Sequence, residues 1–149
     1  MEKELQLMAA LLGSLGFAAN FNIHGIKVIF AAIGGFFSWG VYLIAELINP
    51  DPYFCAFVSA VALTLYSETM ARVHKTPVTV FVVICVIPLV PGAALYRTFN
   101  HLLQHNMEMA YAQGLYALLF AASMSLGITL TTLAFRVSVK LLRRRMRKS

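Results

Sequence analysis

The sequence predicts an all-helical, polytopic integral membrane protein, and three observations carry that fold class. Charged residues make up 12% of the 149 residues, where a soluble domain carries roughly a quarter. The hydrophobic share is 60% and the mean hydropathy is +0.76, which leaves too little polar surface to coat a globule in water. The few charges also cut the chain into apolar blocks. A helix needs about 20 residues to cross ~30 Å of hydrocarbon, and in that solvent every backbone polar group must be satisfied within the segment.

About five spanning helices follow, all in a single transmembrane domain. The first covers about 5–21 and reads as a retained helix, because Glu2 and Glu4 stand against Lys3 where a signal peptide needs a basic start. The second covers about 28–47, between Lys27 and the Asn-Pro-Asp-Pro turn at 49–52. The third covers about 53–71 and ends in "YSETMARVHK". The fourth covers about 77–96 and contains Pro88, Pro91 and Gly92. The fifth covers about 112–137, and residues 138–149 form a basic tail with Arg143, Arg144, Arg145, Arg147 and Lys148. The polar stretch Thr98 to Tyr111 is helix-prone and suits the membrane interface.

Net charge is +6, but the excess is local. Placing the tail in the cytoplasm and alternating backwards puts Lys27, Arg72 and Lys75 on the same side, with Glu46, Asp51, Glu108 and the N-terminus outside. A basic tail after an apolar segment points to a membrane flank rather than to nucleic acid. Cys55 and Cys85 lie in apolar runs without metal spacing and read as small core residues. No nucleophile–base set, phosphate loop or HExxH occurs, so the chain reads as a non-enzyme with no catalytic residue, no cofactor and no metal site. His101 and His105 are spaced i, i+4, but no third donor stands at a matching spacing.

The fourth block carries its own interruption. Pro88 deprives the Ile84 carbonyl of its helical donor, and Pro91 does the same to Ile87. Gly92 permits a sharp turn, and a helix restarting at "AALYR" would aim its first N–H groups at the break. Discontinuous helices form the substrate sites of many secondary transporters; a simple kink is the plainer reading. In the third block, Glu68 and Arg72 can pair one turn apart. That carboxylate can serve transport or anchor the helix at the headgroups. Stepping back from it, Thr64, Ala60 and Ala56 make a small-residue stripe, and Ala31 with Gly35 forms a second packing notch. Asn20 and Asn22 flank Phe21 and either cap the first helix or face a cavity. Trp39 falls near the middle of the second helix, away from an aromatic belt, and the sequence does not decide what it faces.

The run "SETMARVHKTPVTVFVVICVIPLVPGAALY", with "GFAANFNI" at Gly16 to Ile23, resembles the signature of the threonine/serine exporter family. The matching positions are Ser67, Glu68, Ala71, Arg72, Pro77, Pro88, Leu89, Val90, Pro91, Gly92 and Tyr96. The resemblance implies the small subunit of the family's split form, working in a bacterial cytoplasmic (inner) membrane with a larger subunit of the same family as partner. It implies export of threonine and serine, or of dicarboxylates such as succinate in some split pairs. Glu68, Arg72, Pro88, Pro91, Gly92, Tyr96 and Asn22 are then the substrate-binding candidates. The alternative is a non-transporting scaffold subunit that stabilises the larger partner.

Overall fold

A computed structural model describes residues 2–21, 23 and 25–146, the last six of these as backbone. Asn22 and the end of the basic tail, 147–149, lie outside the described residues. The elements are α1 (Glu2–Asn20), α2 (Ile26–Ile48), α3 (Pro52–Val73), α4 (Val78–Val86), a single 3₁₀ turn (Ile87–Leu89), α5 (Gly92–Leu103) and α6 (Met107–Met146).

Local chemistry explains the boundaries. Asp51 caps α3 by accepting the Tyr53 N–H, and Pro52 occupies the first turn, where its missing donor costs nothing. α3 ends in a Schellman turn: the Lys75 N–H reaches the Arg72 carbonyl and the Thr76 N–H reaches that of Ala71. α5 ends the same way, through His105 to Leu102 and Asn106 to His101. The left-handed position is held by Lys75 (φ 49) and His105 (φ 57) rather than by glycine. The Asn106 side chain then accepts the Met109 N–H and starts α6. The stretch Thr98 to Tyr111 is therefore divided between two helices by this turn, and the last helix begins at Met107 rather than near 112.

α3 lies at the centre, packed against α2, α4 and α6, while α1 lies on α2 and α5 on α6. Lys3 reaches Glu46, so α1 and α2 are antiparallel. α3 and α6 run parallel: Tyr53 meets Tyr116 near one end, and Arg72 meets Phe135 near the other. Between them Gly127 lies so close to α3 that a Cβ there would fall 2.8 Å from the Phe57 carbonyl oxygen and 2.9 Å from the Ala60 Cβ. The stripe of Ala56, Ala60 and Thr64 is fully buried, a small-residue contact of the kind that drives helix association in lipid.

α2, α3 and α6 are each long and apolar enough to cross a membrane. The α4–α5 pair, bent by 56°, makes a fourth candidate if taken as one span. The parallel course of α3 and α6 argues for that choice, because the chain between them must travel from the end marked by Arg72 back to the end marked by Tyr53. α1 is shorter and less apolar and is not among the candidates, so three or four of the five expected spans meet the length and hydropathy standard.

Candidate functional site

The interruption in the fourth block is a structural fact. α4 stops at Val86, the 3₁₀ turn carries Pro88, and the extended Val90 (φ −61, ψ 125) leads to Pro91. Pro91 (φ −75, ψ 55) sits at the centre of an inverse γ-turn, with the Gly92 N–H donating to the Val90 carbonyl at 2.7 Å. Both prolines therefore stand where a helical N–H would be missing anyway.

The carbonyls freed by the prolines are not bare. The Ile84 oxygen accepts the Ile87 N–H, and the Ile87 oxygen accepts the Val90 N–H at 3.2 Å. The Ser38 hydroxyl donates to the Cys85 oxygen at 2.7 Å. Tight turns and one neighbouring hydroxyl thus satisfy groups expected to be open to a solute. The donor side is different: no side chain caps α5, so its first turn keeps the partial positive charge of a helix start.

α2 is shaped to receive the break. A Cβ on Gly34 would collide with the Cys85 sulfur and the Tyr66 ring, and one on Gly35 with Ser14. The glycine pair lets α4 lie against one side of α2 and α1 against another. Tyr66 fixes this arrangement by donating to the Phe30 carbonyl at 2.7 Å.

Under the break lies a pocket of about 420 Å³. Pro88, Pro91, Gly92, Ala93 and Ala94 form one wall, with Arg97 one turn further along α5. Trp39 and Tyr42 of α2 and Gln113, Tyr116 and Phe120 of α6 complete it. Trp39 stacks on Tyr42 with ring centroids 4.9 Å apart and planes 7° apart, which fixes the indole. The indole Nε1 is buried and has no hydrogen-bond partner, a costly state for a polar group. The pocket thus combines an uncapped helix start, one guanidinium, an unpaired indole N–H and several aromatic faces. Such a set suits a small solute with a carboxylate and an ammonium group able to lie on aromatic rings.

Of the residues singled out from the sequence, Pro88, Pro91 and Gly92 line this pocket. Tyr96 is 72% exposed and does not. Glu68 and Arg72 form a separate ion pair near the other end of α3, at 3.5 Å, with side chains 5% and 45% exposed respectively. The Arg72 guanidinium also lies 4.6 Å from the centroid of Phe135, which ties α3 to α6. Trp39, Tyr42, Gln113 and Tyr116 are pocket residues that the sequence does not mark. They come from helices distant in sequence from the break, and only Trp39, isolated at mid-helix, stands out beforehand.

The sequence matches a family model described as Threonine/Serine exporter, ThrE, over residues 6–134. No curated protein matches the chain, and no solved structure does.

Proposed function

Because the chain belongs to the threonine/serine exporter family, we propose that it is a subunit of a secondary exporter that holds a small amino acid in the pocket beneath the α4–α5 break. The observation that carries this reading is the pocket's unspent donor capacity, in the first turn of α5 and Arg97. The substrate carboxylate takes these donors. The ammonium group lies against Tyr42, Tyr116 and Phe120, which supply faces and phenolic oxygens but no fixed charge. A neutral amine site beside a cationic carboxylate site suits a zwitterion that must leave as readily as it enters.

One observation favours a second substrate class. Arg97 lines the pocket and no acidic residue does, so a dicarboxylate such as succinate would also find its charge complement there. Glu68 and Arg72, already paired at the other end of the bundle, are proposed to tie α3 to α6 through Phe135 rather than to hold the solute.

The chain is proposed to act as the small subunit beside a larger family member, in a bacterial inner membrane with its C-terminus in the cytoplasm. Lys27, Arg72, Lys75 and Arg136 gather at one end of the bundle with the tail, in keeping with the positive-inside rule. A groove of about 620 Å³ between α5 and α6, lined almost wholly by apolar groups such as Leu95, Leu118 and Ala121, offers a seat for a partner helix.

The test is efflux of labelled threonine and of succinate from cells expressing this chain alone, a neighbouring larger family member alone, and both. Threonine efflux only when both are present is the expected result. Full efflux from the larger chain alone would leave this one as a scaffold, and succinate efflux without threonine would reassign the substrate.

A further inference from the structure

Beside the substrate pocket at Pro88 and Trp39, between α1 and α2, lies another pocket of about 310 Å³, lined by Gln6, Ala10, Gly13, Ser14, Trp39 and Pro88 among others. Trp39 and Pro88 line both, so the two spaces adjoin. Ser14 is 0% exposed, and its hydroxyl has no hydrogen-bond partner. A serine in a helix usually returns its hydroxyl to the backbone one turn back, as Thr64 does to Ala60 and Thr98 to Ala94. Ser14 does not, and it is held over the bare backbone of Gly35 instead.

A buried hydroxyl and a buried indole N–H, both unpaired and both lining one small pocket that holds no charged residue, form a neutral polar site. Hydroxyl and amide groups donate and accept, and an indole N–H donates only. Together with the Gln6 amide they complement a group that also donates and accepts, an alcohol. Resting on the reading of the neighbouring pocket as the amino-acid site, we propose that Ser14 and Trp39 form the subsite that recognises the side-chain hydroxyl of the exported amino acid. The carboxylate sits at Arg97 and the start of α5, and the hydroxyl reaches past the Trp39 edge toward Ser14. A site built to hydrogen-bond a hydroxyl rejects the analogue lacking it far more strongly than an apolar pocket distinguishes two shapes, because its own polar groups would be left unpaired. Ser14 and Trp39 therefore set the preference for threonine over its isostere valine, and for serine over alanine.

The test uses the full chain in its native membrane, with each substitution introduced in place and the other exporter components unchanged. Cells are loaded with labelled threonine or valine, and the efflux rates are compared as a ratio, which is independent of how much protein is present. Ser14→Ala is expected to lower the threonine-to-valine ratio by about tenfold or more, and Trp39→Phe to lower it in the same direction. The serine-to-alanine ratio falls with it. A ratio within twofold of the parent in both variants overturns the proposal, as does an equal loss of both amino acids. Arg97→Gln separates this from the underlying reading, since it should depress threonine and valine alike and leave the ratio in place. If Arg97→Gln changes neither rate, the substrate pocket itself is misplaced.

Discussion

The two ends of the helical bundle handle charge differently, and both hold unpaired buried polar groups: Ser67, His74 and Thr76 at the Arg72 end, Ser14 and Trp39 around the break. Near the Arg72 end, a carboxylate buried in an apolar helix has found its partner: Glu68 meets Arg72, and Arg72 leans on Phe135. Around the break there is no buried charge, yet an indole N–H, a serine hydroxyl and a helix start stand without protein partners. What sets the break apart is that its unpaired side chains line pockets of molecular size. A paired ion already has its energy, and a solute must compete for it. An unpaired donor in a space of molecular size has none to give up, so a solute that reaches it gains the full interaction. At one end Arg72, paired with Glu68, fastens α3 to α6, while at the break unpaired donors stand beside a pocket.

The largest expected effect tests the vacant side of that contrast. Arg97→Gln removes the pocket's cation, and a hydrogen bond to a charged group is worth about 1.5–3 kcal/mol. Threonine efflux at subsaturating internal threonine should fall roughly tenfold to a hundredfold, while the chain's thermal stability in detergent barely moves. A stability loss as large as the transport loss would make Arg97 structural and erase the contrast.

Next is the occupied side. Arg72→Gln leaves Glu68 buried without its counter-charge and should destabilise the chain by about 1–3 kcal/mol, less than for a fully enclosed pair because Arg72 is half exposed. Adding Glu68→Gln should restore most of that loss, since a neutral amide is cheaper to bury than a lone carboxylate. Thermal unfolding of the single and double variants measures it. A double variant no better than Arg72→Gln alone would show that the pair is not the unit being broken.

The smallest effect concerns Tyr96, which shares the sequence signature but faces away from the pocket. Tyr96→Phe should leave threonine efflux within about twofold, in line with a surface change of less than ~0.5 kcal/mol. A larger loss would place the phenol against a partner subunit and move part of the site outside this chain.

How much of this is legible in the sequence depends on how local the cause is. The break is legible because proline and glycine act on their own backbone: Pro88 and Pro91 end α4 wherever it packs. The small-residue stripe of α3 is legible by spacing, and Gly127 proves to be its counterpart on α6. The two Schellman turns are not, because Lys75 and His105 hold positions that composition assigns to glycine. Nor can the pocket walls be read off. Trp39, Gln113 and Tyr116 converge only because α2 and α6 both pack around the central α3, a long-range outcome that no window of residues contains. The partner of the Cys85 oxygen near the end of α4 also escapes the sequence, since Ser38 lies 47 positions away.

α6 runs unbroken through 40 residues, about 60 Å at 1.5 Å per residue, roughly twice the thickness of the hydrocarbon layer. Lipid can grip only its middle, so the rod emerges from both leaflets as a continuous mast. Gly127 brings it hard against α3 part-way along, and Tyr116 and Phe135 hold it to the same helix on either side. Gln113 and Tyr116 at the break and Phe135 at the Arg72 end are thus carried on one continuous rod.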